Sequence, residues 1–123
     1  KKLMSNATAS FIPSMYVEPF GGVQVENLLS GTPTLTTDWG CFAENNPHGI
    51  TGYRCRTMGD FIDAMHNINK IRPADCLAFG KNFTLDKVAP MYEKYFNDIL
   101  DIYTGRGWYA DGNGLNSLYK YYP

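Results

Sequence analysis

Apolar and polar positions in the first third of the chain follow the pattern of a strand, a helix and a second strand. Residues 7–12 end in an apolar pair and precede a proline, which favours a short strand. The apolar positions within 25–29 repeat at helical spacing, so a helix is predicted to begin near Phe20 or Gly21 and to end at Gly31. The β-rich segment 34–37 predicts the second strand. Together they predict a parallel βαβ unit with a right-handed crossover.

Three helices are predicted in the second half. Thr57 and Asp60 resemble a capping box at the start of the first helix. Its apolar stripe is predicted to consist of Met58, Phe61, Ile62, Met65 and Ile68. Residues 73–81 form a second helix opened by a proline. Thr84 caps the third, in which Pro90 should cause a kink or mark the true start.

The remaining segments complete an α/β prediction. Residues 38–51 are predicted to be a loop, followed by a short strand at 53–55. Residues 1–102 are therefore expected to form one Rossmann-like domain, with a short parallel sheet flanked by helices. Residues 103–123 are rich in Gly and Tyr and form a separate C-terminal tail.

Composition excludes several classes of function. The 123 residues carry a net charge of −1, which gives no attraction to nucleic acid. No apolar run approaches the length of about 20 residues that spans a membrane. The three cysteines lack metal-ligand spacing and indicate reduced thiols, so the expected compartment is the cytoplasm, including the cytosolic face of a membrane. His48 and His66 are far apart, and neither a metal site nor a cofactor is expected.

The first strand–helix junction holds the candidate chemistry. Glu18 precedes the glycine-led helix and Glu26 lies one turn inside it, at the edge where ligands of parallel sheets bind. Two carboxylates beside a helix N-terminus suit a ligand with many hydroxyl groups and a phosphate, such as a nucleotide-sugar. On the residues alone, Glu18 is equally a turn residue stabilised by the helix dipole, and a solvated surface residue is the default interpretation of Glu26.

These segments resemble a known family. The E-x7-E pattern of Glu18 and Glu26 is similar to that of retaining nucleotide-sugar glycosyltransferases with the GT-B fold, in the family numbered four. The segments that surround it match in order. They are Ile12-Pro13-Ser14 before the pattern, Ser30-Gly31-Thr32-Pro33 after it, then Asp38-Trp39-Gly40 with Glu44, and His48-Gly49-Ile50-Thr51-Gly52-Tyr53. The resemblance covers roughly residues 3–102 and corresponds to the distal part of the C-terminal, donor-binding domain.

The resemblance implies a role for each residue of the junction. Glu18 would be catalytic and would contact hydroxyls of the transferred sugar, while Glu26 would bind both ribose hydroxyls. The backbone N–H groups of Phe20, Gly21, Gly22 and Val23 would bind the donor. The implied reaction moves a hexose from a nucleotide diphosphate sugar to a hydroxyl of a sugar or glycan acceptor, with retention and without a metal.

The resemblance also implies absent parts. An N-terminal GT-B domain that holds the acceptor would be a required partner, and the family's Arg/Lys pair has no counterpart here, since the only cations before the pattern are Lys1 and Lys2. The isolated chain is therefore expected to be inactive. Self-association is a further expectation, through 91–100 or the tail. The alternatives are a nucleotide-sugar-binding module that needs a separate acceptor-binding subunit, or a non-catalytic remnant.

Overall fold

In the part of the chain that the structure describes, three parallel strands form one sheet in the spatial order β1-β2-β3. The structure is a computed structural model that describes residues 2–105. The strands are β1 (Ser10–Ile12), β2 (Thr34–Thr37) and β3 (Gly52–Cys55). Ser10 pairs with Thr34, which in turn pairs with Gly52. The parallel α/β architecture predicted from the sequence is confirmed, although β1 is shorter than the predicted 7–12.

Six α-helices are present in the described residues. They are α1 (Lys2–Ser5), α2 (Gly22–Leu28), α3 (Phe42–Asn45), α4 (Met58–Asn67), α5 (Pro73–Gly80) and α6 (Leu85–Thr104). Two 3₁₀ turns follow α4 and α5, at Ile68–Lys70 and Lys81–Phe83. The predicted loop 38–51 contains α3, a helix too short to leave a periodic signal in the sequence.

The helix ends follow the predicted local chemistry. Gly31 adopts a φ of 74° just after α2 and donates its N–H to the Leu28 carbonyl, as a glycine that ends a helix does. Thr57 and Asp60 form the predicted capping box, each side chain accepting from the other's backbone N–H. Pro73 opens α5. These local signals therefore correctly predicted the end of α2 and the starts of α4 and α5.

The core lies where α2, α4 and α5 meet the sheet. It consists of Leu28, Leu35, Cys55, Phe61, Ala64, Ile68, Ile71 and Cys76. The predicted stripe on α4 is partly wrong, because Met58, Ile62 and Met65 are 70, 48 and 60 % exposed. Only the narrow row of Phe61, Ala64 and Ile68 packs inward, since a single helix face meets β2 and β3.

Within the described residues, 2–83 and 84–105 belong to separate compact units. In the second unit, α6 runs through Pro90 without a break in the helix. Its residues Met91, Phe96 and Leu100 are exposed. The predicted Gly/Tyr-rich tail lies outside the described residues from 106 onward. In residues 2–105 there is no helix with both the length and the apolar character needed to span a membrane.

Candidate functional site

A groove of about 720 Å³ opens where β1 ends and α2 begins. Five of the six predicted site residues line it: Glu18, Gly21, Gly22, Val23 and Glu26. The sixth, Phe20, is half-exposed and packs its ring edge-on against Phe83, with a centroid distance of 6.0 Å. The fold therefore brings both glutamates and the turn formed by Gly21 and Gly22, the glycine turn, to one surface.

Glu18 is held on a segment that is fastened to the chain beyond β2. Every second backbone carbonyl of residues 14–18 accepts a hydrogen bond from a donor in residues 37–41. The donors are Thr37 Oγ1, Trp39 Nε1 and the Cys41 N–H, and the acceptors are the carbonyls of Ser14, Tyr16 and Glu18, at 3.0, 3.1 and 2.8 Å. The backbone of Glu18 is thus fixed by contacts distant in sequence.

The Glu18 carboxylate already accepts two hydrogen bonds. The Gly21 N–H donates to Oε1 at 3.2 Å, and the Tyr16 hydroxyl donates to Oε2. The bond to Glu18 raises the pKa of the Tyr16 phenol, because the neutral phenol is the form that donates. A carboxylate offers about four acceptor sites, so Glu18 keeps capacity for further hydroxyl donors.

Glu26 differs from Glu18 in its surroundings. It lies on the exposed side of α2 and also faces the groove. Within residues 2–105 its carboxylate has no hydrogen-bond or salt-bridge partner. It is therefore available as an acceptor for a ligand, held in place by the helix that carries it.

The glycine turn has two glycines with different requirements. Gly21 has φ 76° and ψ 53°, and a Cβ there would lie 2.9 Å from Cys41 Sγ, so the packing demands glycine. Gly22 has no such restriction, because a Cβ there would meet no atom within 4 Å. Gly22 nevertheless lines the groove, and the missing side chain leaves the backbone open to a ligand.

Some lining residues were missed by the sequence analysis. Tyr16, Gln24 and Phe42 also line the groove. Tyr16 stands two positions before Glu18, and that proximity was the available signal. Gln24 is fully buried, and a glutamine beside the apolar positions Val25 and Leu28 was a second signal, since buried polar side chains need partners.

Asp38 and Glu44, which belong to the family-like segments after β2, lie outside this groove. Asp38 pairs with Arg56 Nε at 2.7 Å and with Arg54 Nε at 3.4 Å, in a second groove of about 390 Å³. Glu44 is exposed on α3. His48 also belongs to the second groove, where its Nδ1 accepts the Arg54 N–H at 3.1 Å. These contacts give Asp38 and His48 structural partners outside the first groove.

A preformed cluster of metal ligands is absent from the described part of the chain. Among residues 2–105 no group of three His, Cys, Asp or Glu side chains is placed to hold an ion. Cys41, Cys55 and Cys76 are all buried and unpaired as disulfides. The chemistry that the first groove offers consists of carboxylate acceptors, one phenol and backbone N–H groups.

Comparison with known proteins supplies the family. No curated protein sequence matches this chain. Residues 1–79 match the family described as glycosyl transferases group 1, and this stretch is more than half of the 123 residues. It contains β1, α2 and the whole of the groove lining. The chain belongs to the group 1 glycosyl transferases.

Proposed function

We propose that the groove binds the donor of a sugar-transfer reaction, a nucleotide diphosphate sugar, and that the transfer proceeds with retention of configuration. The observation that carries the proposal is the presence of Glu18, Gly22 and Glu26 on one groove in a member of a glycosyl transferase family. An accessible backbone between two carboxylates suits a ligand that has hydroxyl groups at both ends and a phosphate between them.

Glu26 is proposed to accept hydrogen bonds from both ribose hydroxyls. Its exposed carboxylate and its place one turn into α2 support this role. The N–H groups of Phe20 to Val23 would then face the donor oxygens, and the Gly21 N–H, which donates to Glu18 Oε1, would be shared between Glu18 and the donor. Loss of a charged acceptor typically costs about 1.5–3 kcal/mol of binding free energy.

Glu18 is proposed to contact the transferred sugar. Its two bonds from Gly21 and Tyr16 fix the carboxylate before the ligand arrives, which lowers the entropic cost of using it. Its negative charge would stabilise the positive charge that develops on a sugar ring during transfer. Glu18→Gln should therefore lower kcat more than it lowers nucleotide affinity.

Gly22→Ala gives the sharpest test of donor binding. The new methyl group meets no protein atom, and alanine favours a helix over glycine by about 1 kcal/mol, so the fold should be as stable or more stable. If the donor approaches the backbone there, the methyl group should cost roughly 1–3 kcal/mol of binding free energy through steric conflict. Calorimetry with UDP, GDP, UDP-glucose and GDP-mannose on the full-length protein measures this.

Gly59→Ala is the matched control. Gly59 lies in the first turn of α4, where a Cβ would meet only the Thr57 hydroxyl, at an ordinary 3.6 Å. Both variants should gain stability, and only Gly22→Ala should lose nucleotide affinity. Equal affinity in the two variants would mean that no ligand approaches the turn at Gly22.

A further inference from the structure

Asn45, the last residue of α3, donates a hydrogen bond to the residue that precedes the glycine turn. Asn45 is 8 % exposed, and its Nδ2 donates to the Phe20 carbonyl at 2.7 Å, across 25 positions of sequence. Neither the family pattern nor the sequence analysis gives this residue a role. The contact lies one peptide bond from Gly21, whose N–H faces Glu18.

The planarity of the peptide bond links these two contacts. In a trans peptide the carbonyl and the following N–H point in opposite directions. The Phe20–Gly21 peptide is bonded on one side to Asn45 and on the other to Glu18 Oε1, at 2.7 and 3.2 Å. Fixing the direction of the Phe20 carbonyl therefore fixes the direction of the Gly21 N–H.

Helix α3 is itself fastened to α2. Gln24 is fully buried, and its Nε2 donates to the backbone carbonyl of Asn45 at 2.6 Å. The turn, α2 and α3 are thus joined in a ring of contacts through Phe20, Asn45 and Gln24. A Cβ at Gly21 would lie 3.2 Å from the Phe42 ring, so the turn has little room to rotate towards α3.

We propose that Asn45 is a positioning residue that aims the Gly21 N–H into the groove through its bond to the Phe20 carbonyl. The proposal rests on the proposed function, in which that N–H is offered to Glu18 and to the donor. Without the Asn45 amide, the Phe20 carbonyl would lose its partner, and only the bond from the Gly21 N–H to Glu18 Oε1 would still hold the direction of the peptide. Asn45 neither bonds to Glu18 nor lines the groove, so it acts only through the backbone.

Asn45→Leu tests the proposal, since leucine has a similar shape and no donor. Thr32→Val is the matched control. Thr32 is also buried, and its Oγ1 likewise donates to one backbone carbonyl, that of Met4 at 2.6 Å, away from the groove. Both variants should lose comparable stability, as each gives up one buried hydrogen bond. Only Asn45→Leu should lower nucleotide affinity, by about tenfold.

Two spectroscopic measurements separate positioning from general stability. The residual dipolar coupling of the Gly21 N–H reports the direction of that bond, which should change in Asn45→Leu and stay unchanged in Thr32→Val. In the unaltered chain, a scalar coupling across the hydrogen bond should connect Asn45 Nδ2 with the Phe20 carbonyl carbon. This second measurement holds even if Asn45→Leu does not fold.

The outcomes are distinct. Absence of the scalar coupling, or an unchanged Gly21 direction in Asn45→Leu, overturns the proposal. A changed direction with unchanged affinity for UDP and GDP also overturns it, because the N–H would then have no part in binding. If the unaltered protein binds none of the four nucleotides, the proposed function fails, while the Gly21 direction still decides whether Asn45 orients the peptide.

Discussion

The backbone of Glu18 lies so close to Gly40 that a single methyl group should disturb the site. Gly40 has a φ of 60°, and a Cβ added there would lie 2.7 Å from the Glu18 carbonyl oxygen and 2.8 Å from the Glu18 nitrogen. Both atoms belong to the backbone and cannot rotate away. The next residue, Cys41, donates its N–H to the same carbonyl. Gly40→Ala must therefore push Glu18 away from the loop that holds it.

The size of the effect follows from two separate costs. A non-glycine residue in the left-handed region costs about 1–2 kcal/mol. Forcing a methyl group into a filled space adds roughly 1–3 kcal/mol. Gly40→Ala should therefore lower the free energy of unfolding by about 2–5 kcal/mol.

Gly49→Ala isolates the first cost. Gly49 has a φ of 77°, but a Cβ there would meet no atom within 4 Å. Gly49→Ala should therefore lower the free energy of unfolding only by the conformational cost of about 1–2 kcal/mol. The difference between the two variants, about 1–3 kcal/mol, then measures the conflict with Glu18.

Urea unfolding followed by circular dichroism measures both free energies, and calorimetry with nucleotide-sugars measures the consequence for the groove. Gly40→Ala should bind the donor more weakly, whereas Gly49→Ala should bind it as the unaltered protein does. The reasoning is refuted if both variants lose the same stability and the same affinity. In that case the close approach of residue 40 does not determine where Glu18 lies.

Three further predictions concern stability and thiol reactivity. Thr57→Ala removes the N-cap of α4 and should cost about 1 kcal/mol in urea unfolding. Hydrogen bonds from the Arg56 and Thr57 N–H groups lower the pKa of Asp60, so its contribution is complete above the ordinary Asp pKa of about 3.9 and disappears as the pH falls through the lower folded value. Asp60→Asn and the unaltered protein should therefore converge in stability in acid, and a constant difference would contradict this account. Burial raises the pKa of Cys55 and of Cys76 to about 11, so neither should react with Ellman's reagent at pH 7.5 until the protein is unfolded.

Elements with a strong local signal could be predicted from the sequence. The segment 34–37 forms β2 as predicted, and the cap at Thr57 and the proline at 73 begin their helices at the predicted places. Each of these features depends on residues that lie only a few positions apart in the sequence. The exposed side of α4 could not be predicted, because Met58 and Met65 have the same apolar character as the residues that pack inward.

The buried polar residues are the larger part of the fold that the sequence pattern did not predict. β2 is buried along its whole length although three of its four residues are threonines. Asn46 is fully buried and donates to Thr36 Oγ1 at 3.0 Å and to the Thr34 carbonyl at 3.3 Å. The buried amide of Asn46 is stable there because it meets partners that lie ten and twelve positions away in the sequence. No local pattern in a single sequence indicates which distant residues form these hydrogen bonds.

The two glutamates of the E-x7-E pattern are fixed by different means, and this bears on how the groove responds to change. Glu26 belongs to α2, so the helix alone sets its place beside Gly22. Glu18 lies on a segment without regular structure, and its place depends on Trp39 and Cys41 as well as on the Gly21 N–H. Changes within 37–41 should therefore move the proposed sugar end of the groove and leave the proposed ribose end in place. The eight-position spacing of the glutamates indicates a shared site, but the chain that follows β2 determines its geometry.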